Sequence, residues 1–207
     1  MSNLISIQKP ELLQIDDNGI RRYGANQIWY PQTWQRKAGC GPTTCSHLFW
    51  YLSKTRTECG SLWEQECRTR SEYVKLMEAV FEYVTPGPMG VNTPALFTDG
   101  AFQYGRARNV ELKADVLQIP SFHQARPSID TMKEFLTKGF QKDLPAAFLN
   151  LSNGELRNLE SWHWVTLIGI KEEEGLMYDQ GKSSFIDLKR WLKTTIMGGA
   201  FVFLSPA

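Results

Sequence analysis

The residues best suited to chemistry are Gly39-Cys40-Gly41-Pro42 and, far downstream, Trp162-His163-Trp164 with Asp179 beyond it. A cysteine between two glycines, followed by proline and an apolar run, stands where a helix opens. Unpaired backbone N–H groups and the positive end of the helix dipole favour a thiolate there. The thiolate is the nucleophilic form, so Cys40 is the candidate nucleophile. It needs a base, a group to orient that base, and donors for the oxyanion. The chain has three histidines from which to take the base. His47 is seven residues past Cys40. That is about 10 Å along a helix, too far for the thiol, so His47 reads as a surface or internally satisfied histidine. His123, in Pro120-Ser121-Phe122-His123-Gln124, reads as a loop residue, exposed or in contact with substrate. His163 opens an apolar strand between two tryptophans that shield and hold it, and is the candidate base. Asp179 could accept its other ring N–H and so fix the tautomer. Simple pairing about a turn at 172–175 sets Asp179 nearer Ile168 than His163, so a bulge or a slipped register is required. Gln35, five residues before Cys40, is the candidate side-chain donor to the oxyanion beside the Cys40 N–H, with Gln32 as the second candidate.

The elements that must position these groups follow from spacing. Residues 42–52 read as a helix in which Cys45, Leu48, Phe49 and Leu52 form one buried stripe. That stripe makes Cys45 a core residue and leaves Cys40 at the helix mouth. A second helix covers 70–84, with Val74, Met77, Val80, Phe81 and Val84 at helical spacing, and ends in Thr85-Pro86-Gly87-Pro88. Thr93-Pro94 opens a third helix to about 104, and Ser128 caps a fourth to about 140. Strands are predicted at 110–119, 146–151, 162–171, 176–179 and 200–204, with a short helix at 187–193. Residues 1–34 are polar, with a turn at Asp17-Asn18-Gly19, and read as a short strand and an extended lead-in. In that lead-in Trp29, Tyr30 and Trp34 pack across the body. Helices first and a mostly antiparallel sheet later make an α+β domain.

Composition sets the outer bounds. A chain of 207 residues is one domain, and 42% apolar residues suffice for its core. A net charge of +1 spread over scattered basic pairs argues against a nucleic-acid partner. No stretch is long and apolar enough for a membrane span, and the N-terminus lacks the charged and apolar regions of a signal peptide. The expectation is a cytoplasmic protein with reduced thiols. Neither the four cysteines nor the histidines stand at metal-site spacing, so no metal or cofactor is expected, and Cys59 and Cys67 read as packed or half-exposed free thiols. The oligomeric state is open.

The order Gln35, Gly39-Cys40-Gly41-Pro42, His163 and Asp179 resembles the papain-like cysteine peptidases. More narrowly it is similar to the bacteriocin-leader-processing peptidase group and its stand-alone relatives. The spacing from His163 to Asp179 and the tail from Asp179-Gln180-Gly181 to the last strand fit the same pattern. The family glutamine usually sits six residues before the cysteine, and here it sits five before. The resemblance covers the start of the cysteine helix and residues 162–204. It implies a papain-like fold, in which an N-terminal helical part carrying the nucleophile helix packs on a mostly antiparallel sheet. Residues 55–145 would then be a family-specific helical insertion and substrate region. The activity implied is a peptidase or amide hydrolase with a Cys40-His163-Asp179 triad and an acyl-enzyme intermediate. No transporter domain accompanies the motif, so processing coupled to export is not implied. An acyltransferase on the same thiol machinery, or an inactive binding module of the same fold, are the alternatives.

Overall fold

The computed structural model describes residues 3–207. In chain order the strands are β1 (Ile5–Ser6), β2 (Gln14–Asp17), β3 (Ile20–Tyr23), β4 (Leu112–Ile119), β5 (Ala146–Asn150), β6 (His163–Lys171), β7 (Glu174–Asp179), β8 (Lys182–Asp187) and β9 (Gly199–Pro206). The α-helices are α1 (Thr33–Ala38), α2 (Cys40–Thr55), α3 (Arg70–Phe81), α4 (Pro94–Arg106), α5 (Ile129–Gln141) and α6 (Leu188–Thr194). Four of the helices start on side chains that accept otherwise unpaired backbone N–H groups. Thr69 and Glu72 close a reciprocal capping box at α3, Thr93 accepts from Leu96, Ser128 from Thr131, and Asp187 from Arg190. Each such cap contributes about 1 kcal/mol.

The main sheet runs β4-β9-β5-β6-β7-β8, antiparallel throughout, and β1 lies alongside the second half of β6 where β5 has ended. β5 is buried at every position and β6 at all but its last, as strands covered on both faces must be. Helix α2 packs on these two strands, and α5 packs on β1, β5 and β6. The chain is therefore a mixture of helices and an antiparallel sheet, the α+β class predicted from sequence.

Along α2 the stripe Cys45, Leu48, Phe49 and Leu52 is buried as its spacing predicts. Burial extends further, however, to every residue from Gly41 to Leu52. Two of its buried polar residues, Ser46 and His47, find partners nearby. The Ser46 hydroxyl, for example, donates to the Pro42 carbonyl at 2.7 Å.

Three expectations change. The buried face of α3 is Tyr73, Leu76, Met77 and Val80, while Val74 and Phe81 are only half-buried. The face is rotated because the Tyr73 ring, amphipathic in composition, goes wholly inside. The N-terminal lead-in is a hairpin rather than one strand. β2 and β3 turn through Asn18 and Gly19 at φ 56° and 84°, the left-handed pair that a two-residue hairpin requires. Helix α1 follows, and Trp34, predicted to pack across the body, stands 47% exposed on it, whereas Trp29 and Tyr30 are buried. Residues 55–145 contain α3, α4 and α5. They also contain β4, which pairs along its whole length with β9 as an edge of the main sheet.

Candidate active site

Cys40 is the first residue of α2, half-buried, with Gly39 separating it from α1. Gly39 has an ordinary φ of −85°, so torsion does not explain the glycine. A Cβ there would collide with the Gln35 carbonyl and the Tyr30 ring, and one on Gly41 would stand 2.9 Å from Val91. The two glycines mark close packing around the thiol. The other three cysteines are buried in the core. Burial pushes the Cys59 thiol up to about 11 and Cys67 up to about 12, and drives Cys45 well above the ordinary thiol range. At neutral pH those three stay protonated.

His163 is buried at the start of β6, with its Nε2 at 2.8 Å from Asp179 Oδ1. The ring shares a small cavity with the Cys40 side chain. With Nε2 committed to Asp179, Nδ1 is the nitrogen left for sulfur. Burial alone would lower the His163 pKa, but the bond to Asp179 and the influence of Asp179 and Cys40 push it up to about 10. The ring is thus held as an imidazolium beside the Asp179 carboxylate. Next to it, Trp164 stacks on Phe97 with ring centroids 4.4 Å apart, and its indole N–H donates to the Val91 carbonyl. This fixes the strand start and the 89–92 loop to one another.

The meeting of His163 and Asp179 depends on how β6 and β7 pair. The turn is only Glu172-Glu173, with Lys171 opposite Glu174 and Gly169 opposite Leu176. Continued unbroken, this register would set Asp179 opposite Thr166, on the other side of the sheet from His163. A one-residue bulge between Leu167 and Gly169 instead sets Thr166 opposite Tyr178. Asp179 then comes level with Val165, on the His163 side. The simple 172–175 turn is corrected twice over, by a shorter turn and by the bulge.

The glutamines separate. Gln35 is buried in the first turn of α1, where its Oε1 accepts the Gln32 N–H at 3.3 Å, and Gln32 itself is exposed. Neither lines the space around the thiol. Gln27 does. It borders a small cavity shared with Cys40, Thr43, His47, His163 and Asp179. Its Nε2 donates to the Arg36 carbonyl at 2.8 Å, and its buried Oε1 has no partner. An amide nitrogen carries two N–H groups, so one is still available. The sequence signal for Gln27 was only its place before Trp29-Tyr30-Pro31. The intervening α1 brings it back to Cys40.

Neither remaining histidine reaches the thiol. His47 is buried in α2, its Nε2 accepting the Ala25 N–H and its Nδ1 at 2.6 Å from Thr166 Oγ1. His123 is exposed in the 120–126 loop.

Among known proteins, no family model and no curated sequence matches this chain. Among solved structures it is similar to one described as a "putative C39-like peptidase" from Bacillus anthracis, at 16% identity and a TM-score of 0.31. The match covers 51% of this chain and 57% of the other. A likeness that slight carries no weight for the chemistry, which is argued from the geometry of this chain alone.

On its open side Cys40 borders a second cavity, of about 270 Å³. Ala38, Val91, Leu149 and Leu151 form its floor, and exposed Met89 and Trp162 form its rim. Trp162 holds φ 56°, a costly conformation for a bulky side chain. Among the described residues, Lys37 is the sole charged side chain on the wall. No helix among the described residues is long and apolar enough to cross a membrane.

Proposed function

We propose that this chain is a papain-like thiol hydrolase that cleaves peptide or amide bonds. The observation that carries the reading is one imidazole, His163, at 2.8 Å from Asp179 and sharing a small cavity with the thiol at the head of α2. The Cys40 sulfur attacks the substrate carbonyl carbon, and the C=O electron pair moves to oxygen. The Cys40 N–H and a side-chain amide hold that oxyanion. Gln27 is better placed for this than Gln35, because it lines the small cavity with Cys40 and keeps one amide N–H beyond the one given to Arg36. His163 delivers its proton to the leaving nitrogen as the C–N bond breaks, giving a thioester. Water then attacks, His163 takes its proton, and the acid departs with the thiolate restored. Asp179 keeps the imidazole in one orientation throughout. The apolar cavity beside the thiol suits substrates with a large apolar side chain next to the scissile bond.

The test is mass spectrometry after brief treatment with iodoacetamide at neutral pH, together with turnover of peptide anilides bearing a bulky apolar or a basic residue beside the scissile amide. Cys40 should be alkylated ahead of Cys45, Cys59 and Cys67, and His163→Ala should remove that preference. Apolar substrates should be turned over faster than basic ones, and Cys40→Ala should abolish turnover. Uniform slow labelling of the four thiols, or full turnover by Cys40→Ala, would refute the reading. Offering an amine in place of water, and finding conjugate rather than acid, would move it to acyl transfer.

A further inference from the structure

One buried titratable group takes no part in this chemistry. His47 is 2% exposed in the middle of α2, and it lines the same small cavity as Cys40, Gln27, His163 and Asp179. Its Nε2 accepts the Ala25 backbone N–H at 2.7 Å, so the ring proton is on Nδ1, which donates to Thr166 Oγ1 at 2.6 Å. A single neutral tautomer satisfies both bonds. Burial lowers its pKa to about 3, so the ring stays neutral in the working range.

We propose that His47 is a positioning residue that locks the helix of Cys40 to the strand of His163 and to the segment of Gln27. This rests on the thiol hydrolase reading above. The ring sits on α2, which starts with Cys40, and bonds Thr166 on β6, which starts with His163. Through Ala25 it holds the backbone two residues before Gln27. Thr166 is paired with Tyr178, the neighbour of Asp179. One imidazole thereby touches the support of every proposed member of the site. The chain is folded closely onto it: Gly24 holds φ 76°, and a Cβ there would crowd the ring at 3.0 Å. An apolar residue could fill the volume but would leave the Ala25 N–H and the Thr166 hydroxyl without this partner. Misplacement of reacting groups by about 1 Å costs on the order of 100-fold in rate, so a lock of this kind acts without touching substrate.

The experiment uses the full chain with His47→Phe, His47→Gln, Thr166→Val and Thr166→Ser. It reads the iodoacetamide alkylation rate of Cys40 beside the thermal midpoint, at a temperature where circular dichroism shows each variant folded. His47→Phe and Thr166→Val should slow Cys40 alkylation by about 10- to 100-fold. His47→Gln and Thr166→Ser, which keep a donor or acceptor in place, should restore most of it. His47→Phe combined with Thr166→Val should be no slower than the worse single change, because the two share one bond. Wild-type alkylation in folded Thr166→Val overturns the proposal even if His47→Phe does not fold. So does a loss that tracks the midpoint alone, with no recovery in Gln or Ser. If His163→Ala alkylates at the wild-type rate, the thiolate pair itself has failed, which is a different result.

Discussion

Two buried histidines are driven in opposite directions by what faces them. His163 meets a carboxylate and a sulfur and is held charged, while His47 meets a backbone N–H and a hydroxyl and is held neutral. The same contrast decides among the glutamines. Gln27→Ala should lower kcat by about 100- to 1,000-fold with a smaller change in KM, the usual cost of an oxyanion donor. Gln35→Ala should leave kcat within a few-fold and lower the thermal midpoint instead, since its amide serves the start of α1. Steady-state kinetics on the two variants checks this, and the reverse ranking returns the role to Gln35. Cys40, His163 and Asp179 could be singled out from sequence as the proposed triad because that chemistry needs particular residue types and histidines are scarce. Gln27 could not, because a helix lies between it and Cys40 and spacing does not show where a chain returns.

At the scale of elements, the caps were the legible part. Thr93-Pro94 and Ser128 each stand where a helix begins, because short oxygen-bearing side chains are the ones that satisfy its first N–H groups. The bulge in β6 had no such signature. It follows from tertiary pairing with β7, and Ile168 looks like any other apolar strand residue. Its role is testable. Removing Ile168 takes out the bulge yet keeps Leu167 opposite Met177, so Asp179 stays level with Val165, on the His163 side. Cys40 alkylation should then stay within a few-fold of wild type, while far-ultraviolet circular dichroism keeps its strand signal. A fall as deep as that in Asp179→Asn would show that the bend of the bulge, and not register alone, sets the pair. Strand β8 was missed for a related reason. Its Ser183 and Ser184 carry little strand propensity, and it exists because β7 offers it an edge.

For the whole molecule, the two histidines give a stability profile that falls on both sides of pH 6.5. The folded pKa of His47, about 3, lies below the unfolded value of 6.5. The stability due to its neutral form is complete above 6.5 and drains away as pH falls toward 3. The folded pKa of His163, about 10, lies above 6.5. Its contribution is complete below 6.5 and is lost as pH rises toward 10. Each limb has a slope of about 1.4 kcal/mol per pH unit while one proton differs between the states. Urea titrations from pH 4.5 to 9.5 should trace both limbs. Asp179→Asn should flatten the alkaline one and His47→Gln the acid one, and an unchanged alkaline limb in Asp179→Asn would contradict the His163 assignment.

The proposed nucleophile belongs to a helix and its proposed base to a strand far along the chain, so the two meet only when the helical layer is seated on the sheet. The reactivity of one sulfur is then an internal gauge of that seating. Partial opening between the layers would silence Cys40 before any buried thiol became exposed. A pulse of alkylating agent would therefore separate three populations in a single spectrum: docked, undocked and unfolded.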